Sequence, residues 1–263
     1  MIVTIKKLKF LGLFGLMTLT VSCTTQTLHQ EKFDFLANTP IDSALEEDSE
    51  MVSFILPYKQ KLDTEMNRVI TYTPVDLTKD GFYCTLCNLT ADMTLEYINL
   101  HFINEPKLQA DAVVLNYGGL RRSFNKGPLT VGNVYELMPF ENELMLLTLT
   151  GQSVREMMDY LRTFSVGHPV ANISIKSAND YTIDGKPISD QKTYRIATTD
   201  YLYNGGDRMF FFAKAIDAKV LNIKLRDLLM VEFQKTDTLQ VDTKQRIFAV
   251  SYTHLRAHET LRY

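Results

Sequence analysis

Segments with the apolar pattern of strands alternate with segments of helical spacing from about residue 51 to residue 249, and this alternation constrains the fold most strongly. Residues 112–115 (AVVL) and 143–151 (ELMLLTLTG) have the apolar density of buried strands. Residues 151–164 (GQSVREMMDYLRTF) instead place apolar side chains at helical intervals. Because sheets and amphipathic helices bury their apolar faces against each other, the sequence predicts one folded domain of mixed α/β class over residues 51–249.

Other segments also have helical spacing, and we expect a helix in each of residues 51–70, 87–102, 131–137 and 218–236. In the first of them, Pro57 falls early enough to be tolerated in a first turn, and Ile70 completes the apolar stripe. Leu100 belongs to the predicted stripe of the second, and Leu221 to that of the last. The pair Asp184–Gly185 predicts the turn of a hairpin.

The N-terminus has the parts of an export signal. Residues 1–22 contain three lysines, an apolar run too short for a membrane span and then small residues. Cys23 follows "TVS", which resembles a bacterial lipobox, in which the cysteine becomes the lipidated first residue. Thr20 stands where leucine is usual, and a plain signal peptide or a membrane anchor is the alternative. We expect a lipid-anchored protein of the cell envelope, on its periplasmic or outer-membrane side, in which residues 23–50 are the attachment site and a polar tether.

The C-terminal segment, residues 250–263, has a different interpretation. The string VSYTHLRAHET looks like the translation of a transposase adapter used in sequencing libraries. We therefore expect the native sequence to be cut near Ala249, and the last residues to be disordered and to pack on nothing. His254 and His258, followed by Glu259, have a spacing that would suit a metal site on a helix, but in this interpretation they have no role.

Charge and cysteine content exclude some functions. The net charge of −3 lacks the basic excess of proteins that bind nucleic-acid polymers. Cys84 and Cys87 form one C-x-x-C pair, whereas zinc needs two further ligands at suitable spacing. A redox role needs the pair at a strand-to-helix turn of a thioredoxin-like fold. We expect these cysteines either to bridge or to remain small buried residues.

Three loops at strand ends could carry chemistry. They are NYGGLRRS (116–123), PFEN (139–142) and DYLYNGGD (200–207). Glycine pairs let backbone amides approach a ligand without a Cβ in the way, and loops held by a rigid scaffold often carry function. Each loop taken singly is an ordinary turn, but their combination is much more specific.

The combination resembles the C-terminal domain of bacterial and animal 5′-nucleotidases. The segments NYGGLR, MPFEN and LTLTG, then Tyr194 and DYLYNGGD, occur in order and at the expected separations, and the similarity runs from about Phe54 to Arg246. The resemblance implies a layered α/β/α/β domain that binds a nucleotide or a nucleoside.

The resemblance also implies roles for individual residues. Phe140 and Tyr201 would sandwich the nucleobase, since every base has a face on which an aromatic ring can stack. Asn142 would offer a donor and an acceptor to the base edge, Asp207 would accept from the ribose hydroxyls, and the fork of Arg121 would hold an anionic or polar part of the nucleotide. Core aromatics and a surface ion pair are the alternatives. The remaining residues of the expected site are Asn116, Gly118, Gly119, Gly205 and Gly206.

The departures from the family pattern concern catalysis. The full enzymes begin with a metallophosphatase domain whose two metals activate water and clamp the phosphate. This chain has no D-x-H, G-N-H-[DE] or G-H-x-H segment, and before residue 250 its isolated histidines are His29, His101 and His168. Cys87 stands at a position that is usually glycine, and Asp76, Lys79 and Asp80 stand where some members carry nucleotide-binding arginines. We expect no catalytic residue, metal or cofactor in this chain.

These features favour one hypothesis and leave two others open. The chain would be the nucleotide-recognition half of an exported 5′-nucleotidase, and a separate metallophosphoesterase chain would supply the divalent metals and the catalytic centre. The first alternative is a non-catalytic, lipid-anchored nucleoside-binding protein. The second is an interaction module that kept the fold and lost the ligand.

Overall fold

A computed structural model describes residue 38, residues 40–43 and residues 45–248. The predicted signal peptide, the lipidation position Cys23 and the predicted adapter-derived tail (250–263) lie outside the described residues. Among the described residues, no helix has the length and the apolar content needed to cross a membrane.

The chain divides into two compact units, residues 1–49 and residues 50–263. The described residues of the first unit are all exposed. The helices and strands, in chain order, are α1 (Ser49–Met66), β1 (Val69–Thr73), α2 (Thr85–His101), β2 (Ala112–Val114), β3 (Gly127–Thr130), α3 (Val131–Leu137), β4 (Glu143–Thr150), α4 (Gly151–Thr163), β5 (Val170–Ala171), β6 (Ile173–Ser177), β7 (Asp180–Ile183), β8 (Lys186–Pro187), β9 (Thr193–Thr199), α5 (Asp200–Tyr203), β10 (Asp217–Lys224) and α6 (Leu225–Gln234).

A five-stranded sheet in the order β10-β4-β9-β2-β5 forms the centre of the second unit. Only β2 and β9 run parallel, and the other neighbours are antiparallel. A two-stranded sheet pairs β1 with β3, and a three-stranded sheet has the order β6-β7-β8.

Both faces of the central sheet are buried. Leu144 and Leu146 of β4 join a core cluster that includes residues of α2, α3 and α6. Met145 and Leu147, which alternate with them, join a second cluster with α4 and the β6–β7 hairpin. Since side chains of a strand point alternately to opposite faces, β4 needs apolar residues at nearly every position, and this explains its continuous apolar run. The predicted mixed α/β class is confirmed.

The helix predicted over residues 51–70 differs from the structure at Pro57 and at Ile70. Pro57 lies inside α1 and not in its first turn, and none of the residues of α1 is buried. The helix ends at Met66, and Ile70 belongs to β1, which pairs with β3. A proline in a helix interior removes a backbone hydrogen-bond donor. The first-turn position that we expected therefore does not account for Pro57 in this helix.

The second predicted helix begins earlier than expected, and most of its predicted stripe faces the core: Leu89 is buried, and Met93 and Tyr97 are partly buried against the first cluster. The helix α2 starts at Thr85, and its buried residues include Leu86, Thr94 and Ile98, whereas Leu100 is exposed. Cys84 occupies the N-cap position and is bridged to Cys87 in a disulfide, one of the two expected outcomes.

The helix predicted over residues 218–236 is wrong in its first half. Residues Asp217–Lys224 form β10, which pairs antiparallel with β4 at the edge of the central sheet. Leu221 and Ile223 are buried at the alternate positions of a strand, and α6 begins only at Leu225. Hydrogen bonds to β4 decide this segment, because its apolar residues Val220, Leu221 and Ile223 are too few for their spacing to distinguish a helix from a strand.

Candidate functional site

The central sheet brings the three glycine- and proline-containing loops to one edge. Because β2 and β9 are parallel neighbours, the loops that follow them leave the sheet on the same side. The strand β4 is antiparallel to β9, so the loop that precedes β4 reaches that same edge. The register pairs Leu144 of β4 with Thr199 of β9, which places residues 139–142 beside the start of α5.

A cavity of about 500 Å³ lies between these loops. Its lining residues are Asn116, Gly118, Arg121, Phe140, Glu141, Asn142, Tyr201 and Asp207. Seven of the ten residues expected from the sequence therefore share one cavity. Gly119, Gly205 and Gly206 are not among the lining residues.

The two aromatic residues of the cavity are only partly covered. Phe140 is 44% exposed and Tyr201 is 43% exposed, although both are large apolar side chains. Within the described part of the chain, the two rings make no direct contact with each other. The exposed part of each ring can therefore contact a planar ligand, which would gain from the burial of apolar surface.

Both positions of the second glycine pair, Gly205 and Gly206, require glycine. A Cβ at Gly206 would lie only 2.5 Å from a carbon of the Tyr201 ring. Gly205 has a φ of +91°, a left-handed conformation that glycine adopts at little cost. The pair therefore shapes the loop and seats the Tyr201 ring without itself lining the cavity.

Asp207 is held by two tyrosines. The Tyr201 hydroxyl donates to Asp207 Oδ1 at 2.9 Å, and the Tyr160 hydroxyl donates to the Asp207 carbonyl oxygen at 2.5 Å. The bond to the Asp207 carboxylate raises the pKa of Tyr201, because it stabilises the protonated phenol. Asp207 itself has a φ of +50°, which is uncommon for a residue with a side chain.

Asn142 is fixed by one hydrogen bond of its side-chain amide and by one hydrogen bond of its main chain. Its Nδ2 donates to Asp200 Oδ1 at 3.0 Å, and its main-chain carbonyl accepts from the Leu225 amide at 3.0 Å. Asp200 Oδ1 also accepts from the Tyr201 amide at 2.8 Å. One carboxylate therefore connects Asn142 and Tyr201. Asp200 is not among the site residues expected from the sequence, although it is the first residue of the DYLYNGGD loop.

Arg121 is the one cationic residue among those that line the cavity. Its guanidinium carbon lies 5.9 Å from the centroid of the Phe140 ring, and Nη1 donates to the Gly118 carbonyl oxygen at 3.3 Å. The Arg121 amide donates to the Leu137 carbonyl oxygen at 2.8 Å, which ties this loop to the end of α3. The guanidinium retains donors that can bind an anionic or carbonyl group of a ligand.

Glu141 also lines the cavity, and the sequence analysis did not select it. Its carboxylate forms ion pairs with Lys224 at 2.6 Å and with Arg226 at 2.9 Å. Hydrogen bonds from these two cations lower the pKa of Glu141. Lys224 and Arg226 therefore balance its negative charge at the rim of the cavity. Its position between Phe140 and Asn142 was the available signal.

Lys79 contacts the first loop, residues 116–123, through a hydrogen bond and a cation–π contact. Its Nζ donates to the Leu120 carbonyl oxygen and lies 4.1 Å from the centroid of the Tyr117 ring. The Tyr117 hydroxyl in turn donates to the Lys79 carbonyl oxygen at 2.5 Å. Burial, and then the nearby charge of Arg121, lower the pKa of Lys79. The segment in which we expected no binding residue therefore positions the loop that carries Arg121.

The cavity thus combines two partly exposed ring faces, an oriented amide, a guanidinium and carboxylates. This set suits a planar heterocycle that carries polar groups on its edge and a polar or anionic extension. Among the described residues, no group of three or more histidine, cysteine, aspartate and glutamate side chains is arranged to hold a metal ion.

Comparisons with known proteins place the chain in a family. Residues 69–214 match the model of a family described as the 5′-nucleotidase C-terminal domain. The chain is 29% identical over 210 residues to the trifunctional nucleotide phosphoesterase protein YfkN of Bacillus subtilis, covering 68% of this chain and 14% of that protein. It is 34% identical over 109 residues to protein UshA of Escherichia coli, covering 37% of this chain and 19% of that protein.

A solved structure shares the fold. The 5′-nucleotidase precursor from Thermus thermophilus superimposes with a TM-score of 0.62 at 22% identity, over 79% of this chain and 44% of that chain. The present chain therefore spans less than half of that structure, and 14% and 19% of the two proteins from Bacillus subtilis and Escherichia coli.

Proposed function

The chain belongs to the family of the 5′-nucleotidase C-terminal domain, and from this membership we propose that it is the nucleotide-recognition component of an exported 5′-nucleotidase. Its cavity binds the nucleoside part of the substrate, and a separate metallophosphoesterase chain hydrolyses the phosphate ester. The observation that carries the proposal is the single cavity that Phe140, Tyr201, Asn142, Asp207 and Arg121 line together.

The cavity chemistry supports a role for each of these residues. The base lies between the rings of Phe140 and Tyr201, and stacking of this kind contributes about 1–3 kcal/mol per base. Asn142 contacts the base edge, and Asp207 accepts hydrogen bonds from the ribose hydroxyls through the oxygen that Tyr201 leaves free. Arg121, at the cavity wall, binds an anionic or carbonyl group of the nucleotide.

The catalytic centre is proposed to lie on the partner chain because the present sequence lacks the ligand motifs of a metallophosphatase. Two divalent metals there would activate water and bind the phosphate oxygens. The present chain contributes by holding the nucleoside so that the 5′-phosphate projects toward that centre, a positioning effect that lowers the entropic part of the barrier. The export signal in residues 1–22 and lipidation at Cys23 would place the complex in the cell envelope.

Phosphate release from AMP tests this division of labour. The purified chain, supplied with Mn²⁺ or Zn²⁺, should release no phosphate, and addition of the proposed metallophosphoesterase partner chain should restore turnover. Phe140→Ala should raise the KM of the assembled enzyme. Metal-dependent turnover by the isolated chain would contradict the proposal.

The alternative of a nucleoside-binding protein without catalysis predicts a different result. Adenosine and AMP would bind the isolated chain with similar affinity, and no metallophosphoesterase would restore turnover. Calorimetric titration of both ligands, with and without the partner chain, separates the two functions.

A further inference from the structure

We propose that Asp200 is a positioning residue that fixes the orientation of the Asn142 amide, and that the cavity therefore prefers 6-aminopurine nucleosides to 6-oxopurine nucleosides. The inference rests on the proposed function, because it names the class of base that the same cavity selects. It depends on a contact that the motif pattern does not contain.

The two ends of the Asn142 side-chain amide differ, because its nitrogen donates hydrogen bonds and its oxygen accepts them. A carboxylate has only acceptors, so the amide end that faces Asp200 must be the nitrogen. Nδ2 lies 3.0 Å from Asp200 Oδ1, at an ordinary hydrogen-bond distance. Rotation of the amide by 180° would place its oxygen against the Asp200 oxygen, two acceptors with no proton between them. The amide therefore has one favoured orientation.

The second step concerns the rigidity of Asp200. Its Oδ1 accepts from the Tyr201 amide at 2.8 Å, and it is the first residue of α5, where Thr199 is the N-cap. The pairing of Leu144 with Thr199 holds the two loops side by side. Since sheet pairing and a helix start determine the place of the Asp200 carboxylate, it is a fixed reference for Asn142.

The third step concerns what the cavity presents to a base. With nitrogen committed to Asp200, Asn142 Oδ1 is the end of the amide that has no hydrogen bond within the described part of the chain. The two carboxylate oxygens of the neighbouring wall residue Glu141 already accept from Lys224 and Arg226, so the selection rests on Asn142 Oδ1. A 6-amino group donates to this oxygen, whereas a 6-oxo group opposes an acceptor with an acceptor. An amide free to rotate would accommodate both bases.

Calorimetry with three nucleosides tests the proposal on the whole chain. We expect adenosine to bind about tenfold more tightly than inosine, the size of effect that one well-matched hydrogen-bond pattern gives. In Asp200→Asn, whose new amide can accept or donate, this ratio should fall below about threefold. Purine riboside, which carries hydrogen at C6, should bind both proteins equally. Asp180→Asn, an exposed aspartate outside the cavity, should keep the wild-type ratio.

A double-mutant cycle separates orientation of the amide from general support of the loop. In an Asn142→Ala background the Asp200→Asn change should leave the adenosine-to-inosine ratio unaltered, because no amide remains to be oriented. Asp200→Ser, which keeps an acceptor for the Tyr201 amide, serves as a second variant if Asp200→Asn does not fold.

Three outcomes would overturn the inference. In the first, wild-type protein binds adenosine and inosine equally. In the second, the Asp200 variants weaken all three nucleosides by the same factor, which indicates loop support alone. Both leave the proposed function intact. In the third, none of the three nucleosides binds, and the proposed function fails with the inference.

Discussion

At the scale of single residues, the chain holds the cavity residue Asp207 in a strained backbone conformation. Asp207 and Arg208 have φ values of +50° and +59°, two consecutive left-handed residues that are not glycine. Such conformations cost of order 1–3 kcal/mol each and persist only where the surroundings impose them. Here the Tyr160 and Tyr201 hydroxyls supply that constraint at Asp207. The strain is therefore compensated by contacts within the same site.

Tyr201 has two separable tasks, and substitution tests them apart. Tyr201→Ala removes the stacking face, and we expect adenosine binding to weaken by about 1–3 kcal/mol in a calorimetric titration. Tyr201→Phe keeps the ring and removes only the hydrogen bonding of the hydroxyl to Asp207, so it should weaken adenosine binding less. Tyr83→Ala, at an exposed tyrosine outside the cavity, should bind as wild type. Equal affinities of Tyr201→Ala and wild type would contradict the stacking role.

At the scale of elements, two covalent or ionic links secure α2. The disulfide between Cys84 and Cys87 lies in its first turn. Near the centre of α2, Asp92 accepts hydrogen bonds from both terminal nitrogens of Arg246, at 2.7 and 2.6 Å. Arg246 lies in the segment that follows α6. The disulfide therefore closes the N-terminal turn of α2 itself, whereas the ion pair links α2 to the segment that follows α6.

Arg246 should contribute more to stability than a surface arginine. Its side chain is 14% exposed, and it also donates to the Val170 carbonyl oxygen and to Asp242. Hydrogen bonds to charged groups contribute about 1.5–3 kcal/mol, so Arg246→Ala should lower the free energy of unfolding in urea by at least this amount.

Two further variants make the Arg246 measurement specific. Arg246→Lys should recover little of the loss, because lysine cannot form the bidentate pair with Asp92. Arg68→Ala, which breaks an exposed pair with Glu65, should lower the free energy of unfolding much less than Arg246→Ala does. An Arg246→Ala variant as stable as Arg68→Ala would show that the segment after α6 does not stabilise α2.

Reduction should destabilise the folded protein modestly. The disulfide closes a very short loop, and the chain-entropy relation gives about 2 kcal/mol for a loop of this size. Dithiothreitol should therefore lower the free energy of unfolding of wild-type protein by about that amount. A Cys84→Ser, Cys87→Ser double variant should show the lower value with and without reductant. A wild-type free energy that reductant leaves unchanged would argue against the bridge.

At the scale of the whole molecule, a buried histidine couples the core to the cavity. His168 is 2% exposed, and its Nδ1 lies 3.3 Å from both the Tyr117 amide and the Leu115 carbonyl oxygen, where the first loop leaves β2. Its Nε2 is buried without a hydrogen-bond partner among the described residues. Burial lowers the pKa of His168 below its usual 6.5, and the core therefore favours the neutral ring.

This lowered pKa predicts a dependence of stability on pH. Above pH 6.5 the ring is neutral in both the folded and the unfolded chain, and its contribution is complete. As the pH falls below 6.5, the unfolded chain binds a proton that the folded core resists, so stability decreases. Urea unfolding at pH 7.5 and pH 5.5 should therefore show a larger drop for wild type than for His168→Gln. His101→Gln, at an exposed histidine, should keep the wild-type drop, and equal drops in all three proteins would contradict this account.

Prediction from sequence succeeded where local pattern and tertiary environment agree. The bounds of α3 match the predicted 131–137, and α4 buries Val154, Met157, Met158 and Leu161 as expected. It failed at the apolar stripe of α1, of which no residue is buried, and at residues 217–224. In both places a regular spacing was compatible with more than one environment, and burial is not a local property.

The amino-acid sequence by itself determined the mixed α/β class and the three loops whose residues line one cavity, because strand and helix periodicity and glycine-rich turns depend on neighbouring residues. The tertiary structure alone decided that residues 217–224 form an edge strand. It also decided that Glu141 meets Lys224 and Arg226, and that Asp200 holds Asn142. The physical reason is that these features depend on strand pairing between segments more than fifty residues apart, which no local pattern encodes.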